Sequence, residues 1–145
     1  MQKVMGENKR KHLEFIHSTI GRMNDNSRNI KTWCVTLLAA LGAVFSVKQS
    51  VIIVFVACIV VGFCWALDAY YLRMERRFRK LYHEVAKKRE EDIDFSMKEW
   101  HCQASYRYAL FSKTERMFYL PLFVLLLLIG VGLLLAKIYG ISINI

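Results

Sequence analysis

The chain has 145 residues, of which 55% are hydrophobic and 23% are charged, and its formal net charge at pH 7 is +9. A single soluble domain rarely carries so much apolar and so much charged surface together, so the two kinds of residue must be segregated along the chain. The four cysteines show no CxxC or CxxH spacing, so we expect neither a disulfide framework nor a metal site, and we expect no cofactor.

Residues 1–31 are predicted to form a cytoplasmic amphipathic helix. Apolar side chains recur at helical spacing in this otherwise charged stretch, at Leu13, Ile16, Ile20 and Met23. A polar collar follows, consisting of Asn24, Asn26, Ser27 and Asn29. These four residues are either turn and cap residues that permit a bend before the membrane, or the rim of the cytoplasmic mouth of a ring-shaped assembly.

Residues 32–72 are predicted to form a transmembrane helical hairpin. The stretches 32–47 and 51–67 carry no charge, and only Lys48, Gln49 and Ser50 separate them. A spanning helix needs roughly 20 apolar residues, and the flanking residues bring both stretches close to that length.

One face of the first span is small and partly hydroxylated. The steps of four, three, four and three residues place on this face Thr32, Thr36, Ala39, Ala43 and Ser46. Such a face lets helices approach closely, or it lines a narrow path when several copies form a ring.

Asp68 lies near the end of the second apolar stretch, where an acidic side chain is costly unless it is paired or hydrated. It is a candidate gating residue of an ion path. The alternative is an interfacial acid that pairs with Arg73 or with a cation such as Lys31.

Residues 73–116 are predicted to form a cytoplasmic helical region. The second span is expected to continue as one helix, because apolar residues recur at helical spacing from Tyr71 to Val85. This stripe must bury against the N-terminal helix or against a second copy of the chain. We expect a break at 92–96 and mostly helical structure over 97–116. The basic run in this region is Arg73, Arg76, Arg77, Arg79 and Lys80.

The basic run lies within a turn or two of the membrane, and acidic residues are interspersed with it and follow it. Lipid headgroups are the expected partners, at about 1 kcal/mol per charge. Nucleic acid is the competing partner, and we expect no direct contact with it.

Residues 117–138 are predicted to form the third transmembrane helix, and 139–145 a short external tail. Lys and Arg number seven in 1–31, one in 48–50, twelve in 68–116 and one in 137–145. This asymmetry predicts a multi-pass protein whose N-terminus and middle region are cytoplasmic.

No arrangement typical of a catalytic site is visible apart from one weak pair, so we expect no enzyme. Arg10 and His17 are separated by six residues, a spacing similar to the R-x(4–6)-H pattern of HEPN ribonucleases. A HEPN site needs a soluble helical core with paired copies of the motif, and a largely membrane-bound chain offers little room for one.

Several ordered features together resemble a family of small prokaryotic multi-span proteins, among them the small accessory membrane proteins of type VI-B CRISPR systems. They are His12-Leu13-Glu14-Phe15-Ile16, Arg22-Met23-Asn24, Lys31-Thr32-Trp33, Trp65-Ala66-Leu67-Asp68-Ala69-Tyr70-Tyr71-Leu72, Glu75-Arg76-Arg77-Phe78, Asp94-Phe95-Ser96-Met97 and Leu110-Phe111-Ser112-Lys113. The resemblance implies an inner-membrane ring that acts downstream of an RNA-guided ribonuclease effector. It further implies permeabilisation or depolarisation of the cell during phage infection, and a divergent HEPN-type motif whose counterpart is Arg10 and His17.

The fold class that follows is an all-α membrane protein with three transmembrane helices, cytoplasmic helical extensions and an oligomeric ring. The leading functional hypothesis is a homo-oligomeric inner-membrane pore in antiviral defence that enhances an RNA-targeting effector. A membrane-anchored scaffold or regulator that binds a soluble nuclease or RNA is the alternative, and a HEPN-like ribonuclease is the third.

Overall fold

The computed structural model describes residues 6–139, apart from the side chain of Trp100. Within these residues the chain is helical and contains no strand. The four α-helices are α1 (Glu7–Val47), α2 (Val51–Lys87), α3 (Tyr106–Leu110) and α4 (Lys113–Ile138). Among them α1, α2 and α4 are long and apolar enough to cross a membrane, which confirms an all-α chain with three candidate spans. The predicted external tail lies outside the described residues from position 140 onward.

No break separates the predicted N-terminal helix from the first span. A single helix, α1, runs through 41 residues from Glu7 to Val47. The collar residues lie inside α1 and are therefore not turn or cap residues, and this polar stretch has no proline that would interrupt a helix. At 1.5 Å per residue, α1 is about 60 Å long, roughly twice the thickness of the hydrocarbon core of a bilayer.

The second helix begins after a three-residue turn, as predicted. Ser50 caps α2, since its Oγ accepts a hydrogen bond from the backbone N–H of Ile52 at 3.3 Å. The helix then runs without interruption past Asp68 to Lys87, which confirms that the second apolar stretch and the periodic stretch after it form one helix. α1 and α2 therefore form one long antiparallel hairpin.

The charged halves of α1 and α2, which lie outside the apolar stretches, bury their apolar stripes against each other. Leu13 and Ile16 of α1 pack with Phe78, Leu81 and Val85 of α2. This first core confirms the predicted partner for each stripe within the same chain. These stripes are consequently not available to a second copy.

The segment that leads back to the membrane is mostly irregular. It contains 3₁₀ turns at Glu90–Asp92 and Glu99–His101, then the short helix α3. The break predicted at 92–96 is confirmed, and Phe95 has a positive φ of 52° there. The helical structure predicted over 97–116 is found only in the 3₁₀ turn Glu99–His101, in α3 and from Lys113 onward. Arginine side chains of α2 donate hydrogen bonds to backbone carbonyls of this segment. Those carbonyls therefore need no helical N–H as a partner.

A second core lies on the membrane side of the hairpin. Ile30 and Cys34 of α1 pack with Val61 and Cys64 of α2 and with Tyr119 of α4. α4 begins at Lys113, four residues before the predicted start of the third span. Most of its long apolar side chains are exposed, as expected of a helix that faces lipid.

Candidate functional site

A layer of charged side chains separates the first core from the second, which we call the membrane core. Three helices contribute to it: Lys31 comes from α1, Asp68 from α2 and Glu115 from α4. Asp68 is 0% exposed and Glu115 only 1%, while the side chain of Lys31 is 21% exposed. We call these three residues and their two hydroxyl partners, Ser27 and Tyr119, the charge cluster.

Asp68 is fully supplied with hydrogen-bond donors. The Lys31 ammonium forms an ion pair with its Oδ2. The hydroxyl of Ser27 donates to Oδ1 at 2.5 Å, and the phenol of Tyr119 donates to Oδ2 at 3.0 Å. Three donors around one buried carboxylate stabilise its charged form and fix its orientation.

Glu115 is supplied far less well. Lys31 Nζ donates to its Oε1 at 3.2 Å, and the same ammonium group contacts Ser27 Oγ at 3.2 Å. The other oxygen, Oε2, is buried and has no hydrogen-bond partner among the described residues. The Lys31 ammonium group is thus the cation for two buried carboxyl groups. Burial costs more free energy for Glu115, because it has fewer hydrogen-bond donors than Asp68.

The local sequence explains how Glu115 enters the bundle. Ser112 and Glu115 have the spacing of a capping box, and Ser112 Oγ accepts from the Glu115 backbone N–H at 3.4 Å. In a complete box the glutamate would reach back to the N–H of the capping serine. Here that N–H donates to Ala109 O at 3.1 Å, so the Glu115 side chain is free to turn toward Lys31.

Aromatic rings form the wall of the charge cluster on the membrane side. Trp65 stacks on Tyr119 with ring centroids 6.0 Å apart, and its Nε1 donates to Leu110 O at 3.0 Å. Lys31 Nζ lies 5.9 Å from the ring centroids of both Phe118 and Tyr119. These rings keep water from the carboxylates and provide weak cation–π attraction to the ammonium group.

Of the two interpretations of Asp68, the structure realises the ion pair with Lys31. Arg73, the other partner considered, donates its Nε to Ala104 O at 2.9 Å. The sequence did not identify Glu115 or Tyr119 as site residues. The sequence feature that could have indicated Glu115 is the capping motif of Ser112 and Glu115, directly before the third apolar stretch.

The small face of α1 contacts no other described helix of the chain. Its members Thr32, Thr36, Ala39, Ala43 and Ser46 are all exposed, so their predicted role in packing does not apply within one copy. The face lies opposite the side of α1 that enters the membrane core, on which Cys34 is buried. Its hydroxyls donate to backbone carbonyls one turn earlier, for example Thr36 Oγ1 to Thr32 O at 3.0 Å.

The polar collar divides into separate environments. Ser27 enters the charge cluster, whereas Asn24 and Asn29 are exposed and Asn26 is half-buried. The proposed role of the collar as a bend is wrong, since all four residues are helical.

Four residues of the basic run make polar contacts within the chain. Arg76 donates to Tyr108 O at 3.2 Å, Lys80 donates to Gln103 O, and Arg79 pairs with Glu75 of the same helix at 2.7 Å. The contacts of Arg76 and Lys80, with that of Arg73 to Ala104 O, hold residues 103–108 against α2. Spacing along a sequence does not reveal backbone carbonyls as partners, so these contacts could not be predicted.

Arg10 and His17 are both exposed on α1. His17 lines a cleft of about 280 Å³ between α1 and α2 together with Arg79 and His83, and Arg10 is not among its lining residues. Residues 6–139 also contain no group of three or more metal-ligating side chains.

Comparison of the chain with protein families, with curated proteins and with solved structures found no match.

Proposed function

We propose that this chain is the subunit of a homo-oligomeric pore in the bacterial inner membrane. The observation that carries the proposal is the exposed small face of α1. A transmembrane helix in contact only with lipid gains nothing from hydroxyl and small side chains, whereas a helix that meets copies of itself or a wet path does.

The membrane part of one copy is too small to form a channel alone. Three candidate spans are present in the described residues, and the membrane core occupies the space between them. Any path for ions must therefore run between copies, and in a closed ring every copy has both of its contact faces covered by neighbours. The N-terminus and the first core lie inside the cell in this proposal, as the distribution of basic residues favours.

Liposomes that contain the purified protein and a trapped dye test the proposal. Wild-type protein is expected to release the dye, and Ala43→Leu is expected to reduce release severalfold because it enlarges the small face. Val44→Leu is the matched control, since Val44 is exposed on α1 about 100° away from Ala43. Vesicles that stay tight at high protein density, or equal loss in both variants, would refute the pore.

The role in antiviral defence rests on the resemblance to type VI-B accessory membrane proteins. In this proposal the pore depolarises the cell during phage infection and enhances an RNA-guided ribonuclease effector. Cells that carry such an effector with the wild-type protein are expected to lose membrane potential after phage challenge. Cells with Ala43→Leu are expected to keep their potential, and equal behaviour of the two strains would refute the link.

A scaffold function is the second candidate, and exposed cytoplasmic aromatic residues favour it. Phe15 is 57% exposed and Phe95 is 41% exposed, with ring centroids 6.4 Å apart. Exposed aromatic side chains of this kind are typical anchors of protein interfaces. This function predicts that the nuclease effector co-purifies with the wild-type protein and does not co-purify with Phe15→Ser. It also predicts that the wild-type protein conducts no ions across a membrane. RNA binding, its other form, would show a steep decrease in affinity with salt.

The ribonuclease remains the third candidate. It predicts that RNA cleavage by the purified protein is abolished by Arg10→Ala or His17→Ala. Absence of cleavage by the wild type would eliminate it.

A further inference from the structure

The charge cluster has an uneven balance of charge. If both carboxyl groups are ionised, the two negative charges of Asp68 and Glu115 face the single positive charge of Lys31. A net negative charge would then remain in a layer that two apolar cores enclose. Burial of an unbalanced charge is costly, and proteins usually avoid it by binding a proton or a counterion.

The hydrogen bonds indicate which of the two carboxyl groups binds the proton that balances the charge. Asp68 accepts from Lys31, Ser27 and Tyr119, so both of its oxygens have hydrogen-bond donors. Glu115 accepts only from Lys31, and its Oε2 is buried without a partner among the described residues. Both carboxyl groups contact the same Lys31 ammonium group, so a second negative charge on Glu115 would lie close to the first on Asp68.

We propose that Glu115 Oε2 is a proton-binding site, and that the proton bound there keeps α4 attached to the α1–α2 hairpin. The proton comes from solvent, an O–H bond forms at Oε2, and the cluster becomes neutral overall. Lys31 and Asp68 are the charged partners from α1 and α2, and Tyr119 is the titratable neighbour on α4.

Release of the proton has a defined structural consequence. Glu115 then competes with Asp68 for Lys31, and the two carboxylates repel each other across the α2–α4 contact. Glu115 and Tyr119 are the buried residues of α4, and both lie in the charge cluster, so this repulsion acts directly on the attachment of α4 to the hairpin. The inference does not depend on the pore, because it concerns the packing of helices within one copy.

Infrared difference spectroscopy tests the site directly. Spectra of the full-length protein in lipid are compared between about pH 5 and about pH 9, a range that includes buried carboxyl groups in proteins. We expect a carbonyl band of a protonated carboxylic acid, equivalent to one group per chain, that disappears at high pH. The band is expected to be absent from Glu115→Gln and present in Glu75→Gln, the matched control, because Glu75 is buried but paired with Arg79. A band that persists in Glu115→Gln would overturn the proposal.

Thermal unfolding provides a second measurement. The unfolding temperature of the wild type is expected to fall as the pH rises through the transition, while that of Glu115→Gln stays constant over the same range. The same pH dependence in both proteins would overturn the proposal. If Glu115→Gln does not fold, Asp68→Asn replaces it. That variant removes the repulsion and is expected to move the loss of the infrared band to lower pH, and an unchanged midpoint would again overturn the site.

Discussion

Lys31 and Asp68 form an ion pair between α1 and α2 at the level where the first core ends and the membrane core begins. The pair is shared with Glu115 of α4, which lies 3.2 Å from the same ammonium group. All three long helices thus depend on a single cation. Because both carboxyl groups are buried, the loss of that cation leaves Asp68 without its counter-charge and Glu115 without its hydrogen-bond donor.

The two partners should respond unequally to substitution. Lys31→Met leaves both carboxyl groups unpaired and is expected to lower the free energy of unfolding by about 3–5 kcal/mol. Asp68→Asn is expected to cost less, because Lys31 can still pair with Glu115 and the amide oxygen can still accept from Ser27. Thermal unfolding in detergent measures the difference, and the reverse order would show that the cluster is not organised around Lys31.

Removal of all three charges is the corresponding control. The triple variant Lys31→Met, Asp68→Asn, Glu115→Gln is expected to regain most of the stability that Lys31→Met loses, because buried ion pairs are often replaced by neutral groups at little cost. A triple variant as unstable as Lys31→Met would mean that lost packing of the lysine stem, rather than charge, causes the damage.

Arg73 should hold the irregular return segment against α2. Arg73→Ala removes a charged hydrogen bond to Ala104 O, a kind of interaction that contributes about 1.5–3 kcal/mol. We expect faster amide hydrogen exchange at 103–108 with little change in α4. Arg79→Ala is the matched control, since Arg79 pairs with Glu75 on its own helix and not with the segment. Equal acceleration in both variants would contradict the assignment.

Cys102 should react slowly with thiol reagents. It is 3% exposed, and burial, followed by the charge of Glu84, raises the pKa of its thiol. Its Sγ donates to Glu84 Oε1 at 3.5 Å. Glu84→Gln is expected to lower this pKa and to increase the rate of maleimide labelling at neutral pH, because the thiolate is the reactive form. Mass spectrometry of the peptide containing Cys102 measures the rate, and a slower reaction in the variant would contradict the electrostatic cause.

Acidification should loosen the turn around Ser96. The Ser96 backbone N–H donates to Asp94 Oδ1 at 3.2 Å, and this bond, aided by Lys88, lowers the pKa of Asp94. A lowered pKa contributes stability that is present above the ordinary pKa of aspartate and is lost as the pH falls through the lowered value. Protection of the Ser96 amide from hydrogen exchange is therefore expected to decrease in that acidic range. Asp94→Ala should lack this dependence, and a dependence that persists would assign it to another group.

Much of the architecture could be predicted from local patterns. Charge-free stretches of sufficient length indicate spanning helices, and the periodicity from Tyr71 to Val85 correctly predicts that α2 continues beyond the membrane. The collar was misjudged as a bend because asparagine and serine favour turns in isolation. In this chain the continuous packing of α1 along α2 overrides that local preference.

The candidate site could be predicted only in part. The cost of a carboxylate in an apolar stretch drew attention to Asp68, and charge complementarity suggested Lys31. Glu115 escaped notice because an S-x-x-E motif at a helix start already has a local explanation. The partners of the basic run could not be predicted either. They are backbone carbonyls, which every residue has, so the sequence does not show which of them accepts a hydrogen bond.

The sequence by itself determined that three helices are apolar enough to enter a bilayer, because length and hydrophobicity are properties of each segment alone. Only the tertiary structure decided that Lys31 must serve two buried carboxyl groups, since Lys31 and Glu115 are 84 positions apart. Burial and charge balance arise from the packing of helices against one another, and no single helix carries them.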